Sequence, residues 1–213
     1  MKQELINTYN PTEEKLNIYT HAIGILLSII GLGFLIHKSI YLNASVAIFS
    51  LILFGLSMIT LYTASTLYHS ATNVVKRSRL KIFDHVSIYI LIAGTYTPFT
   101  LISLMKNNGL WVFGIVWTFA LIGIIIKLFF TGKFKIISTC MYVLMGWMIV
   151  FSFSDLQNNI APTGINWLIA GGISYTIGAV LYSIKKIPFN HAIFHLFVLI
   201  GTFCHFICIL NYV

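Results

Sequence analysis

The chain has 213 residues, of which 58% are hydrophobic and 8% charged. Soluble domains carry about 25% charged residues, so the composition excludes a soluble domain and predicts an all-α integral membrane protein. The formal net charge of +8 would suit nucleic acid in sum, but its distribution along the chain assigns it to membrane orientation and to anionic lipid headgroups instead, so no nucleic-acid partner is expected.

Residues 1–18 are polar, carry Glu4, Glu13 and Glu14, and read as a short cytoplasmic segment at the start of one domain spanning 1–213. No small-residue cleavage pattern follows the first apolar run, which is therefore expected to be a retained span rather than a signal peptide. Apolar runs long enough to cross the hydrocarbon core, roughly 17–25 residues each, occur at Tyr19–Ile36, Ala44–His69, His85–Leu104, Leu110–Phe130, Ile136–Phe153, Ile165–Ile184 and Phe189–Tyr212. Short loops join them and leave no room for a second domain. Pro98 is expected to kink the third run, with the Thr95 or Thr97 hydroxyl satisfying a freed carbonyl. In the sixth, Gly172, Tyr175, Gly178 and Tyr182 suit close helix packing. Cys140, Cys204 and Cys208 are an odd number in apolar surroundings, which predicts small buried hydrophobes and no disulfide framework.

Seven spans place the N-terminus and the second, fourth and sixth loops on one side. That side holds Lys2, Lys15, Lys76, Arg77, Arg79, Lys81, Lys133, Lys135, Lys185 and Lys186, with Lys127 near the end of its span; the other holds Lys38 and Lys106. The asymmetry predicts a cytoplasmic N-terminus and an external C-terminus in the plasma membrane.

Orientation then sorts the polar residues by depth. His69 falls at the cytoplasmic end of the second span, Asp84 and His85 at the start of the third, and His191 and His195 in the first two turns of the seventh. The i, i+4 spacing puts His191 and His195 on one helix face. Ionisable groups at membrane depth are functional candidates by default, and three imidazoles with one open position are a common catalytic metal arrangement. His69, His191 and His195 are therefore the expected metal ligands. Asp84 is the acid near a span, apart from Asp155 in an external loop, and is placed to orient or deprotonate a metal-bound water; its alternative is a helix N-cap. Ser65, four residues before His69, shares that face, and its alternatives are a bond to its own i−4 carbonyl or gluing helices together. His21 lies at the same cytoplasmic level without a ligand-spaced partner, His85 points about 100° away from Asp84, and His37 is at the external end. His205, about 15 Å beyond His195, is too deep to share the ion without a kink.

Several of these residues form a recognisable series: Glu14-Lys-Leu-Asn17 with Thr20-His21 and Gly24; Ser65-Thr-Leu-Tyr-His69; Phe83-Asp84-His85; Ala93-Gly-Thr-Tyr-Thr-Pro98-Phe99; and His191-Ala-Ile-Phe-His195. In order and spacing the chain resembles the hemolysin III family, the bacterial branch of the progestin and adipoQ receptor superfamily, over nearly its whole length. The resemblance implies a seven-helix bundle inverted relative to G-protein-coupled receptors. It implies a zinc ion on the residues matching His69, His191 and His195. In the wider superfamily, which includes alkaline ceramidases, it places the residues matching Ser65 and Asp84 beside a zinc-bound water. One departure is Ala192, where family members often carry an acid.

Three functions are compatible with this reading. The first is an intramembrane zinc hydrolase acting on a lipid amide that enters from the cytoplasmic leaflet. The second is a sensor or regulator of membrane lipid state with a structural zinc. The third, suggested by the family name, is a cytolytic, pore-forming protein, against which stands the scarcity of polar side chains along the spans.

Overall fold

The computed structural model describes residues 9–130 and 135–213, and side chains throughout these except at 135–137. Lys2 and Lys133, and the side chain of Lys135, which enter the charge count above, lie outside the described residues. The described residues are all-helical, and seven helical segments are long and apolar enough to cross a membrane.

The first helix, α1 (Pro11–Leu42), begins eight residues before the apolar run that predicts it, at Pro11 rather than Tyr19. The cause is capping chemistry. The Asn10 side chain accepts the Thr12 N–H at 2.9 Å, Pro11 occupies the first turn, and Glu13 and Glu14 sit where the helix dipole favours negative charge. Its buried residues are Glu13, Asn17, His21, Gly24, Ser28, Gly31, Leu35 and Ser39. They fall at spacings of three and four, a single stripe of small and polar side chains facing inward. Leu26, Ile29, Ile30 and Phe34 are exposed on the other side. A soluble helix has the reverse pattern; here the large apolar side chains face lipid and the small ones let helices approach. At Gly24 a Cβ would stand 2.6 Å from the Tyr62 ring on the next helix.

Helix α2 (Ser45–Ser70) returns along α1, and α3 (Val74–Pro98) packs on α2. The Asn73 side chain accepts the Lys76 N–H at 3.0 Å and starts α3 eleven residues ahead of the predicted run, at Val74 rather than His85. Two expectations change with that boundary. Asp84 is an interior residue of α3, so its N-cap alternative falls. Arg77, read as a loop charge, is a buried helix residue at 7% exposure. After Pro98 the chain passes into a π turn, Phe99–Ser103, a usual way for a helix to absorb a proline. Thr95 Oγ1 donates to Leu91 O and Thr97 Oγ1 to Ala93 O, at 2.7 and 2.8 Å.

Helix α4 (Gly109–Phe130) packs on α3, and α5 (Lys135–Trp147) continues through a 3₁₀ turn, Met148–Ser152, into a short α6 (Phe153–Asn159). Tyr96 bridges the break: its hydroxyl donates to Gly146 O and accepts the Ile149 N–H, both at 2.8 Å. Asp155, expected in a loop, lies in the first turn of α6 and accepts from Asn107 Nδ2 at 3.3 Å. Helix α7 (Pro162–Ser183) pairs with α8 (Asn190–Tyr212), and α8 also packs on α1, closing the bundle. Tyr175 and Gly178 serve close helix packing, as expected, and the structure makes α8 the partner: Cβ atoms built at Gly201 and Gly178 would meet Tyr175 and Phe197 at 2.9 and 2.8 Å. Gly172 does not; it turns to Trp147 and a cavity, and Gly171 is the residue that lets the His205 ring lie against α7. All three cysteines are free, with Cys204 and Cys208 buried as expected and Cys140 exposed.

Candidate metal centre

The end of α2 and the first two turns of α8 bring three imidazoles together. His69 is 3% exposed, His191 8% and His195 2%. Their donor nitrogens lie within 4.8 Å of one another. His191 Nε2 stands 3.2 Å from His69 Nε2 and 3.1 Å from His195 Nε2.

One of these rings is oriented through its other nitrogen. Glu14 Oε2 lies 2.7 Å from His69 Nδ1, so Nδ1–H donates to the carboxylate and Nε2 is the nitrogen turned toward the cluster. Asn17 Nδ2 is also near Nδ1, at 3.5 Å, a weak second contact. Glu14 is held in turn by Arg77, whose Nη2 donates to Oε1. Arg77 Nη1 donates to the carbonyls of Ala71 at 3.2 Å and His69 at 3.4 Å. Glu13 reaches the other ligand helix: its Oε1 accepts the His191 backbone N–H at 3.1 Å, capping the first turn of α8. The two adjacent acids thus tie α1 to both ligand-bearing helices.

The donor set fits a cation. Tetrahedral coordination at roughly 2.0–2.1 Å per nitrogen separates ligand nitrogens by about 3.3 Å, close to the 3.2 and 3.1 Å separations in the cluster. Both close N···N contacts meet at His191 Nε2, which carries one hydrogen or one lone pair and so cannot make both linear, whereas a cation among the three satisfies all of them. The carboxylate on His69 Nδ1 is a common outer partner of a metal-bound imidazole. His69, His191 and His195 together could therefore hold a metal ion.

A cavity of about 210 Å³ opens beside the cluster and is lined by Ser65, Asp84, His191 and His195. Ser65 is 1% exposed, and its Oγ has no hydrogen-bond partner among the described residues. Ser50, Ser57 and Ser70 on the same helix bond back to Val46, Phe54 and Thr66 carbonyls. Among the described residues Ser65 thus makes neither the back-bond nor the interhelical bond that were its alternatives, and its hydroxyl is available to the cavity. Asp84 Oδ2 lies 3.7 Å from His85 Nδ1, which donates to Lys81 O at 2.7 Å. His85 lines the cavity as well.

The remaining histidines have other work. His21 stacks on His195, ring centroids 3.7 Å apart and planes 8° from parallel, and meets Tyr62 edge-on. It forms a wall of the cluster. His205 borders the cavity about 15 Å further along α8, where its Nε2–H donates to Leu168 O at 3.2 Å. His37 packs edge-on against Tyr41. Sequence reasoning missed Glu13, Glu14 and Arg77 as contributors to the site. The signal was present: Glu13, Asn17, His21 and Gly24 continue one inward stripe across the hydropathy boundary at Tyr19.

Compared with known proteins, residues 9–206 match the family described as Haemolysin-III related. The chain is 45% identical over 200 residues to the "Hemolysin-3 homolog" of Bacillus subtilis (strain 168), covering 94% of each protein. It is 46% identical over 202 residues to "Hemolysin-3" of Bacillus cereus, covering 94% of this chain and 92% of that one. It is 28% identical over 214 residues to human "Monocyte to macrophage differentiation factor", covering 96% of this chain and 87% of that one.

Proposed function

The chain belongs to the hemolysin III family of multi-pass membrane proteins, and from that premise we propose that it is an intramembrane zinc-dependent hydrolase of a lipid amide. His69, His191 and His195 hold the zinc, Asp84 and Ser65 do the proton and oxyanion chemistry, and the substrate is drawn from membrane lipid. The N-terminus and the site face the cytoplasm, as the lysine and arginine asymmetry favours. The observation that carries this reading is the convergence of three Nε2 atoms, one oriented by Glu14, beside a cavity lined by a carboxylate and an uncommitted hydroxyl.

Zinc bound there supplies a Lewis acid for the amide carbonyl and raises the acidity of a water. The chain's own residues do the rest. Asp84 accepts a proton from the attacking water as its oxygen bonds to the carbonyl carbon. Ser65 Oγ–H donates to the carbonyl oxygen as negative charge develops there. When the C–N bond breaks, the proton held by Asp84 passes to the leaving nitrogen, giving a fatty acid and an amine. Glu14 and Arg77 keep His69 in one orientation throughout. The walls of Leu61, Ile88, Leu91 and Val198 take an acyl chain.

A second reading is favoured by the helix ties: zinc between α2 and α8 would add to the Glu13 and Glu14 links from α1, bracing the bundle of a lipid sensor without turnover. One assay separates the two. Purified protein is given a panel of amide lipids and fatty-acid release is measured for wild type and Asp84→Asn. Release by wild type, lost in Asp84→Asn with zinc retained, supports hydrolysis. No release from any amide lipid by zinc-loaded wild type refutes it and leaves the sensor.

A further inference from the structure

The three clustered imidazoles are not held alike. The His69 ring is oriented through Nδ1 by Glu14, and the His195 ring lies flat against His21. His191 Nδ1 has no hydrogen-bond partner among the described residues, so the plane of its ring is set by what packs on its faces. Tyr9 stacks on it, with ring centroids 4.5 Å apart and planes 14° from parallel. The same tyrosine meets the His69 ring at 5.9 Å and 48°. Tyr182 and Phe194 touch the His191 ring as well, but tilted by 54° and 37°.

Tyr9 is half-buried and lies just before Asn10, the cap of α1. His69 sits in the last turn of α2 and His191 in the first turn of α8. Tyr9 therefore covers the cluster at the end of the bundle, where these helices terminate. His191 and His195 line the cavity, whereas neither Tyr9 nor His69 is among its lining residues. The cluster thus has one side on the cavity and another under Tyr9. A metal-bound imidazole is electron-poor, and the face of a tyrosine ring attracts positive charge. The stack on His191 is therefore stronger with a cation bound than without one, which a contact that only filled space would not be.

We propose that Tyr9 is a positioning residue of the metal centre: it fixes the plane of the His191 ring and covers the centre at the end of the bundle, so that loss of the metal to water is slowed. This rests on the reading of the cluster as a zinc site.

The test uses full-length, zinc-loaded protein in neutral detergent, mixed with excess of a chelator whose zinc complex is coloured, and follows zinc release in time. Removal of one stacked aromatic partner predicts release about three- to ten-fold faster in Tyr9→Ala. Tyr9→Phe keeps the ring and should release zinc within about two-fold of the wild-type rate. The thermal midpoint of chelator-treated protein should be the same in wild type and both variants, which separates loss of the stack from loss of the fold. If Tyr9→Ala does not fold, Tyr9→Leu, which keeps apolar bulk without a ring face, gives the same reading. Zinc release from folded Tyr9→Ala at the wild-type rate, or release from Tyr9→Phe as fast as from Tyr9→Ala, overturns the proposal. Zinc content is measured before the chelator is added: wild type that holds no zinc overturns the metal reading and this proposal with it, so the two failures are told apart.

Discussion

Removing the Glu14 carboxylate should loosen the metal centre without touching a ligand. Glu14 accepts from His69 Nδ1 at 2.7 Å and pairs with Arg77 through its other oxygen. Its side chain is 15% exposed and that of Arg77 8%, so solvent does little to replace either contact. Loss of a carboxylate behind a metal-bound imidazole typically costs 10–100-fold in metal affinity, about 1.4–2.7 kcal/mol. Glu14→Ala should sit at the upper end, because it frees the His69 ring to rotate and leaves the Arg77 guanidinium buried without its carboxylate. Glu14→Gln keeps an acceptor for Nδ1–H but turns an amide N–H₂ toward Arg77, so about ten-fold is expected. Zinc affinity is measured by competition against a fluorescent chelator in detergent, and thermal unfolding of chelator-treated protein reports the effect on the fold alone. Zinc affinity within about two-fold of wild type in a folded Glu14→Ala protein, below the range expected for such a partner, would refute the argument that this carboxylate positions His69.

Ser65→Ala should leave zinc content and thermal midpoint nearly unchanged, since its Oγ makes no bond within the described protein, while lowering amide turnover about 10²-fold as the loss of one oxyanion donor does; unchanged turnover would remove Ser65 from the chemistry. Arg77→Met should lower the thermal midpoint, because the carbonyls of Ala71 and His69 lose their donor, and Arg77→Lys should recover little of it, lacking the two-pronged geometry. Gly24→Ala places a Cβ 2.6 Å from Tyr62 and should destabilise by about 1–3 kcal/mol, whereas Gly33→Ala, with nothing within 4 Å, should be neutral or stabilising by up to about 1 kcal/mol; equal effects in thermal unfolding would contradict the α1–α2 packing. Chelation should lower the thermal midpoint of wild type and have a smaller effect in His195→Ala, where one ligand is already gone.

The seven spans were legible because hydrocarbon thickness imposes apolar runs of a set length, and His191-Ala-Ile-Phe-His195 was legible because helical periodicity fixes which residues share a face. Matching depth then recruited His69, Ser65 and Asp84, and the structure gathers all five residues at the cluster and its cavity. Helix boundaries were less legible, since a hydropathy run ends where lipid contact ends and a helix ends where its caps are. Asn10 with Pro11 and Asn73 carry α1 and α3 beyond their apolar runs, and those extra turns bring Glu13, Glu14 and Arg77 into the site. The His21–His195 stack depends on the rotation of α1 about its axis, which no single-helix pattern encodes. Lys127 reads in sequence as one more orienting charge; that it faces inward depends on the stripe it shares with Val116, Ala120 and Gly123.

The claim at the centre of this account is that His69, His191 and His195 hold a metal ion, and metal analysis by mass spectrometry of protein purified without chelators tests it most directly. The account predicts about one zinc per chain in wild type, as expected of a single three-histidine site, and loss of that zinc in a folded His191→Ala protein. Metal-free wild type, or zinc retained at full stoichiometry in His191→Ala, would contradict it.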